Sequence, residues 1–196
     1  MSEYTKHLVP RPELRERIID TAVEAFSAHG IKSITMDDIA TSLGISKRTL
    51  YEVFSDKETL LEECILKGQK EGDEFLKNVL ATSGNVLEVL LKCYQRSIEQ
   101  FHATNKKFFE DIKKYPKAYA LMTNRHNQDS EETVNFFKEG VKQGIFRDDV
   151  NFAIINLLVR EQIDVLMNTD ICRMGVLVQN YFFHPITRSS IQATSF

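Results

Sequence analysis

Three residues that favour the start of a helix, Thr35, Ser46 and Ser55, fall within one stretch, "TMDDIATSLGISKRTLYEVFSDKE", residues 35–58. A Ser or Thr in such a place offers its side-chain oxygen to a first-turn N–H that has no other partner. Thr35 has Asp38 three residues on, a variant of the reciprocal capping box, and Ser55 has Glu58 in the usual form. Gly44 supplies the permissive backbone that stops a helix. The spacing therefore predicts two very short helices, at about 36–43 and 46–53, joined by the tight turn "SLGIS". A long helix follows from about 56. Ile39 and Leu43 form the inward face of the first short helix, Leu50 and Phe54 that of the second, and Ile45 packs between them to fix their angle.

The rest of the chain is also helical in pattern. With only eight glycines and four prolines among 196 residues, and no sustained period of two, it cannot be an all-β chain rich in tight turns. Leu14, Ile18, Ala22, Ala25 and Phe26 make one stripe of a first helix at 11–29, with Pro12 in its opening turn and Gly30 at its stop. The long helix runs to about 80. Asn85 and Glu88 cap another, to about 102; "NKKFFEDIKKYP" carries the next, limited by Pro116; a further helix is expected over 117–143. The segment 149–168 is apolar on two sides and must be covered from more than one direction. A last helix is expected over 173–184. The fold class is all-α. A three-helix helix-turn-helix domain occupies 1–56 (the motif itself about 34–53), the long helix from 56 links the domains, and a helical bundle occupies 57–196.

Composition narrows the function. Apolar residues at 42% and charged residues at 27% describe an ordinary packed domain. The net charge of -3 does not point to nucleic acid, and acids slightly outnumber cations even within 1–58. Any nucleic-acid surface must come from the placement of charge rather than its sum. Cys64, Cys93 and Cys172 are scattered and odd in number, which favours free thiols in a reducing cytosol over a zinc site or disulfide framework. The N-terminus shows no apolar signal core, and "FAIINLLV" at 152–159 is too short to span a membrane. The sequence has no Gly-rich phosphate loop, GxSxG or HExxH. A di-iron bundle needs two Glu-x-x-His pairs, and Glu99 with His102 is one without a second. No enzyme activity, metal or cofactor is expected.

A helix-turn-helix places its second helix in the DNA major groove with the N-terminal residues toward base edges. Here that end carries Ser46, Lys47, Arg48 and Thr49. Lys and Arg can bond guanine, and Thr can touch a thymine methyl, each good bidentate base contact being worth about 1–3 kcal/mol of discrimination. Four residues spanning barely one turn cannot all read bases, so some hold phosphates. The competing reading makes Lys47 and Arg48 a solvated pair, Tyr51 a core residue, Thr35 a helix cap alone and Lys57 a mere first-turn charge, although a cation there opposes the helix dipole.

The stretch from Thr35 to Ile65 resembles the DNA-binding domain of the TetR family of bacterial transcription regulators. The resemblance rests on Thr35, Ile39-Ala40, Gly44-Ile45-Ser46, Thr49-Leu50-Tyr51, Phe54 and Lys57-Glu58 before Leu60, with "AVEAFSAHGIKSIT" ahead of them. It covers about 11–70. It implies that Thr35, Tyr51 and Lys57 touch phosphates and that Lys47, Arg48 and Thr49 face the groove. Arg48 departs from the family, which often has a small residue there, and so leaves the target sequence open.

So small a reader needs two copies. The segments 149–168 and 173–184 are expected to pair two chains into a homodimer through a four-helix bundle, as the resemblance implies; the alternative is that 149–168 is the core helix of a monomer. The resemblance also implies a small-molecule cavity among the middle helices. Phe101, Phe108, Tyr115, Tyr119 and Phe137 are its candidate lining, or else ordinary core. The expected function is a dimeric repressor, cytoplasmic, released from a near-palindromic DNA operator by a ligand. The alternative is a DNA-binding architectural or cell-division protein on the same fold without an effector.

Overall fold

The structure is a computed structural model and describes residues 11–124, 131–149 and 151. Eight α-helices are found among them: α1 (Arg11–His29), α2 (Met36–Leu43), α3 (Lys47–Val53), α4 (Lys57–Thr82), α5 (Val86–Ala103), α6 (Lys106–Ile112), α7 (Pro116–Asn124) and α8 (Glu131–Lys142). The segments 149–168 and 173–184 lie outside the described residues from 152 onward, as does Cys172. Of the helix expected over 117–143, α7 and α8 are described and 125–130 are not.

The chain divides into two compact units. The first takes residues up to 73 together with 99–123; the second takes 74–98 and the described residues from 124 on. The long helix expected from about 56 is α4, which begins at Lys57.

The core of the first unit is built from the apolar stripes of its helices. Ile18, Ala22 and Phe26 of α1, Ile39 of α2, Leu50 and Phe54 at α3, and Leu60 and Leu61 of α4 are fully or almost fully buried. Ile112 and Ala118 from α6 and α7 join the same cluster. Fully burying a side chain of this size is worth about 1.5–3 kcal/mol. Ile45 packs half-buried against this core, as its place in the turn requires.

The helix boundaries follow local chemistry, with one correction. Thr35 caps α2 with a complete capping box to Asp38, and Gly44 ends it in the left-handed conformation at φ 65°. Ser46 caps α3 by accepting the Thr49 N–H at 3.0 Å. The cap of α4 is Asp56, not Ser55. The Asp56 carboxylate accepts the Thr59 N–H at 2.8 Å, and the Ser55 hydroxyl donates to that same carboxylate at 2.9 Å. An anion satisfies the positive end of a helix better than a hydroxyl, so the start shifts by one residue. Glu58 turns instead to the Lys117 N–H at 3.4 Å. Pro116 both limits α6 and opens α7, because its missing N–H is tolerated in a first turn.

The last carbonyls of α1 are all accounted for. Gly30 N–H donates to Phe26, and the Asn105 N–H and side-chain amide donate to Ser27 and Ala28 at 2.7 and 3.1 Å. Ser33 donates to His29 at 2.6 Å and Gly30 at 3.0 Å. Gly30, at φ 84°, sits so close to α6 that an added Cβ would lie 2.6 Å from the Lys107 Cβ, whereas one at Gly44 would meet nothing within 4 Å.

In the second unit, Val86 and Val89 of α5, Val79 of α4 and Phe146 are buried. The Phe146 ring lies 5.7 Å from Phe137. The Gln143 side chain accepts the Val86 N–H at 3.1 Å, and Asn85 caps α5 by accepting the Glu88 N–H at 3.0 Å.

The two left-handed glycines predict different costs. Gly44→Ala should lose about 1 kcal/mol, the penalty for a Cβ in that conformation. Gly30→Ala carries the same penalty plus overpacking against α6 and should lose about 2–4 kcal/mol in all. Urea denaturation of the two variants checks the order; equal losses would contradict the tight α1–α6 approach.

A candidate nucleic-acid interface

α3 has seven residues, of which only Leu50 is buried. Leu50 and, just past its end, Phe54 face the core, so the opposite side of the helix is open. Arg48 and Glu52, four apart, lie on that open side, and Lys47 and Tyr51, also four apart, lie between it and the core-facing side, both exposed. The Lys47 side chain is 61% exposed and that of Arg48 89%. Tyr51 is exposed at 42%, and the Lys47 ammonium lies 6.0 Å from the centre of its ring. Tyr51 is therefore a surface residue and not part of the core.

Each of these groups has a partner within the protein. Lys47 Nζ donates to Asp37 at 2.8 Å, from the first turn of α3 to the first turn of α2. That hydrogen bond, ahead of the charge attraction itself, raises the pKa of Lys47 above the ordinary lysine value. Arg48 Nε donates to Glu52 at 3.0 Å. The Ser46 and Thr49 hydroxyls stand 2.8 Å apart.

Thr35 stands at the N-terminus of α2. Its hydroxyl accepts the Asp38 N–H at 3.1 Å and donates to the Asp38 carboxylate at 2.7 Å, while its own N–H donates there at 2.8 Å. These bonds hold Asp38 below the ordinary carboxylate pKa. A helix N-terminus so exposed presents N–H groups and a partial positive charge to an anion.

Lys57 is placed differently from the other cations. Its ammonium donates to the Ile34 carbonyl and lies 5.7 Å from the Phe26 ring centre. Burial pushes its pKa down, against the attraction of Asp111 and Asp38. The sequence alone did not single out Asp111, the buried charged residue among the described residues. Its carboxylate accepts the Lys32 N–H at 2.7 Å and has the Lys114 ammonium at 3.7 Å. Its signal was an acid between Phe108 and Tyr115, three and four residues away, on the buried face of α6. The turn before Thr35 is thus held by α4 at Ile34 and by α6 at Lys32.

The aromatic candidates fall in both units. Phe108, Tyr115 and Tyr119 pack half-buried against the core that carries α2 and α3. Phe101 stacks on Phe109 at 5.3 Å, and Phe137 lies in the second unit beside Phe136 and Phe146. Among the described residues, no group of three or more His, Cys, Asp or Glu is placed to hold a metal ion, and no helix is long and apolar enough to cross a membrane.

Residues 18–64 match the family model described as bacterial regulatory proteins, tetR family. The chain is 26% identical over 152 residues to the HTH-type transcriptional repressor KstR2 of Mycolicibacterium smegmatis, covering 75% of this chain and 74% of that one. It is 26% identical over 111 residues to the HTH-type negative transcriptional regulator IcaR of the biofilm operon icaADBC in Staphylococcus aureus, covering 57% and 54%. A TetR family regulator from Cytophaga hutchinsonii has a similar fold, with a TM-score of 0.69 at 16% identity over 93% of this chain and 99% of that one.

The depressed pKa of Asp38 gives the interface an acid sensitivity. A carboxylate whose folded pKa lies below its unfolded value adds stability at neutral pH, and that stability is lost as pH falls from the ordinary value of 3.8 through the lower folded one. Asp38→Asn should therefore melt below the wild type at neutral pH and close the gap as the pH falls below 3.8. Thermal midpoints across that range check it; a gap independent of pH would show that the carboxylate charge is not what holds the cap.

Proposed function

We propose that this chain, a DNA-binding transcription regulator of the TetR family, is a dimeric repressor that a small-molecule ligand releases from a near-palindromic operator. The observation that carries the reading is the split character of α3. Leu50 anchors it inside, and Lys47 and Arg48 stand exposed at its leading end. Ser46, Lys47, Arg48 and Thr49 enter the major groove. Thr35 and Tyr51 hold phosphates, and so does Lys57 once it leaves the Ile34 carbonyl.

Residues 1–56 act as the DNA-binding domain and 57–196 as the ligand-binding and dimerisation domain, with 149–168 and 173–184 pairing the two chains. Two recognition helices about one DNA turn apart, or a multiple of it, require a site of matching symmetry. The ligand is apolar in the main and lodges among Phe101, Phe108, Tyr115 and Tyr119 of the first unit, aromatics with hydroxyls at two positions. Its effect reaches the heads through α6, whose Asn105 and Asp111 grip the end of α1 and the turn before Thr35. Coupling of this kind changes DNA affinity about 5–150-fold. The protein does no catalysis and works in the cytoplasm, where its DNA is.

Selection of duplexes from a random-sequence pool by the full chain tests the reading. It should return inverted repeats whose half-sites are spaced by about one helical turn or a multiple. A site without two-fold symmetry, or no enrichment at all, would contradict it. On the selected duplex, Lys57→Ala should weaken binding to all sequences and make the salt dependence shallower by about one unit, while Arg48→Ala should relax the preference at one position of each half-site. Gel shifts across a salt series distinguish the two effects.

A further inference from the structure

Lys32 and Lys107 stand apart from the cations described so far. Arg15, Lys47, Arg48 and Lys67 each have a carboxylate, whereas neither the Lys32 nor the Lys107 ammonium has a partner among the described residues. Both residues are exposed. They belong to different elements, the turn before α2 and the first turn of α6, and one contact brings those elements together. Lys107 and Asp111, four apart, share the face of α6 that meets the turn. An added Cβ on Gly30 would lie 2.6 Å from the Lys107 Cβ and 3.3 Å from the Asp111 carboxylate, which accepts the Lys32 N–H at 2.7 Å. The nearby acids are already engaged, Asp111 with that N–H and with Lys114, and Glu110 with Lys106 at 3.9 Å. Two like charges so placed repel, which costs the fold a little and which an anion from outside would offset.

The turn also directs this charge. Ile31 is buried and Ile34 half-buried, and the Ser33 hydroxyl turns back to the carbonyls of His29 and Gly30. Lys32 is the side chain of the turn left to reach outward, three residues ahead of Thr35 and the exposed N-terminus of α2.

We propose that Lys32 and Lys107 together form a phosphate-holding site, which binds the DNA backbone next to the phosphate held at Thr35 and carries the contact from the helix-turn-helix onto α6. The inference rests on the reading above that α2 and α3 meet DNA. Both stems are fixed at their roots, Lys32 by Asp111 and Lys107 by the Asn105 side chain, which accepts its N–H at 3.0 Å. Only the flexible ends therefore need ordering on binding. Phosphates carry no base identity, so the site positions the protein on any duplex and reads no sequence.

The test uses the full-length protein on a duplex selected from a random pool and on one of the same composition in scrambled order. Lys32→Gln and Lys107→Gln remove the charge and keep most of the stem, and an unchanged thermal midpoint confirms folding. Each should weaken binding to both duplexes by the same factor and make the salt slope shallower by about one unit, the double variant by about two. One unit means that the affinity lost between about 50 and 200 mM salt is about 3.5-fold smaller than in the wild type. Lys32→Arg should keep the wild-type slope. Lys77→Gln, which removes an exposed cation from the second unit, should keep it too. Neutral methylphosphonates replacing single phosphates of the selected duplex should locate the contact. At a position next to the Thr35 phosphate, the replacement should weaken the wild type and not the double variant.

An unchanged slope in either single variant would overturn the proposal. So would an equal shift from Lys77→Gln, because net charge alone would then be at work. If Lys57→Ala still shifts the slope, only this proposal falls. If neither Lys57→Ala nor Arg48→Ala alters binding either, the reading of α2 and α3 as the elements that meet DNA falls with it.

Discussion

The rest of the structure depends on the burial of Leu50 and Phe54. A helix of seven residues cannot hold itself in water, because nucleation costs more than so few hydrogen bonds return. α3 exists because these two side chains are sunk among α1, α2 and α4, and the same two fix its rotation. With Leu50 inward, Arg48 and Glu52 must face outward, and Lys47 and Tyr51 stand exposed at the edge of that face. One packing decision therefore forms the helix and also chooses which residues meet a partner.

The approach to α2 is secured by polar contacts rather than by apolar area. Between Gly30 and Thr35 the chain has little to bury except Ile31, and Ile34 is only half-buried. Its backbone groups are held from outside instead, Lys32 N–H by Asp111 of α6 and Ile34 C=O by Lys57 of α4. Gly30 lets α6 come close enough for this. The result is that Thr35 and the N-terminus of α2 take their position from two other helices. A buried carboxylate such as Asp111 is costly unless it is bonded, and here its partners are a backbone N–H and a lysine.

Much of the first unit was legible in the sequence because its signals are local. The Thr35–Asp38 box, the Gly44 stop and the Ser46 cap each need only three or four neighbouring residues, and the structure has all of them. What the sequence hid was set by tertiary distance. Lys57 turns to a carbonyl 23 residues back, and Asp111 bonds a backbone 79 residues back, so no local pattern could announce either. The start of α4 was misplaced for a different reason: two adjacent capping residues compete there, and the charged one wins. Aromatic spacing identified Phe108, Tyr115 and Tyr119 as inward residues, but spacing alone does not distinguish the wall of a cavity from a packed core.

The central claim is that the leading end of α3 enters the DNA groove. Its most direct measurement is a crystal structure of the full chain on a duplex selected from random sequence. The account predicts Lys47, Arg48 and Thr49 against base edges in the major groove. A complex in which α3 lies away from the DNA, or in which Lys47 still bonds Asp37 while another helix occupies the groove, would contradict it.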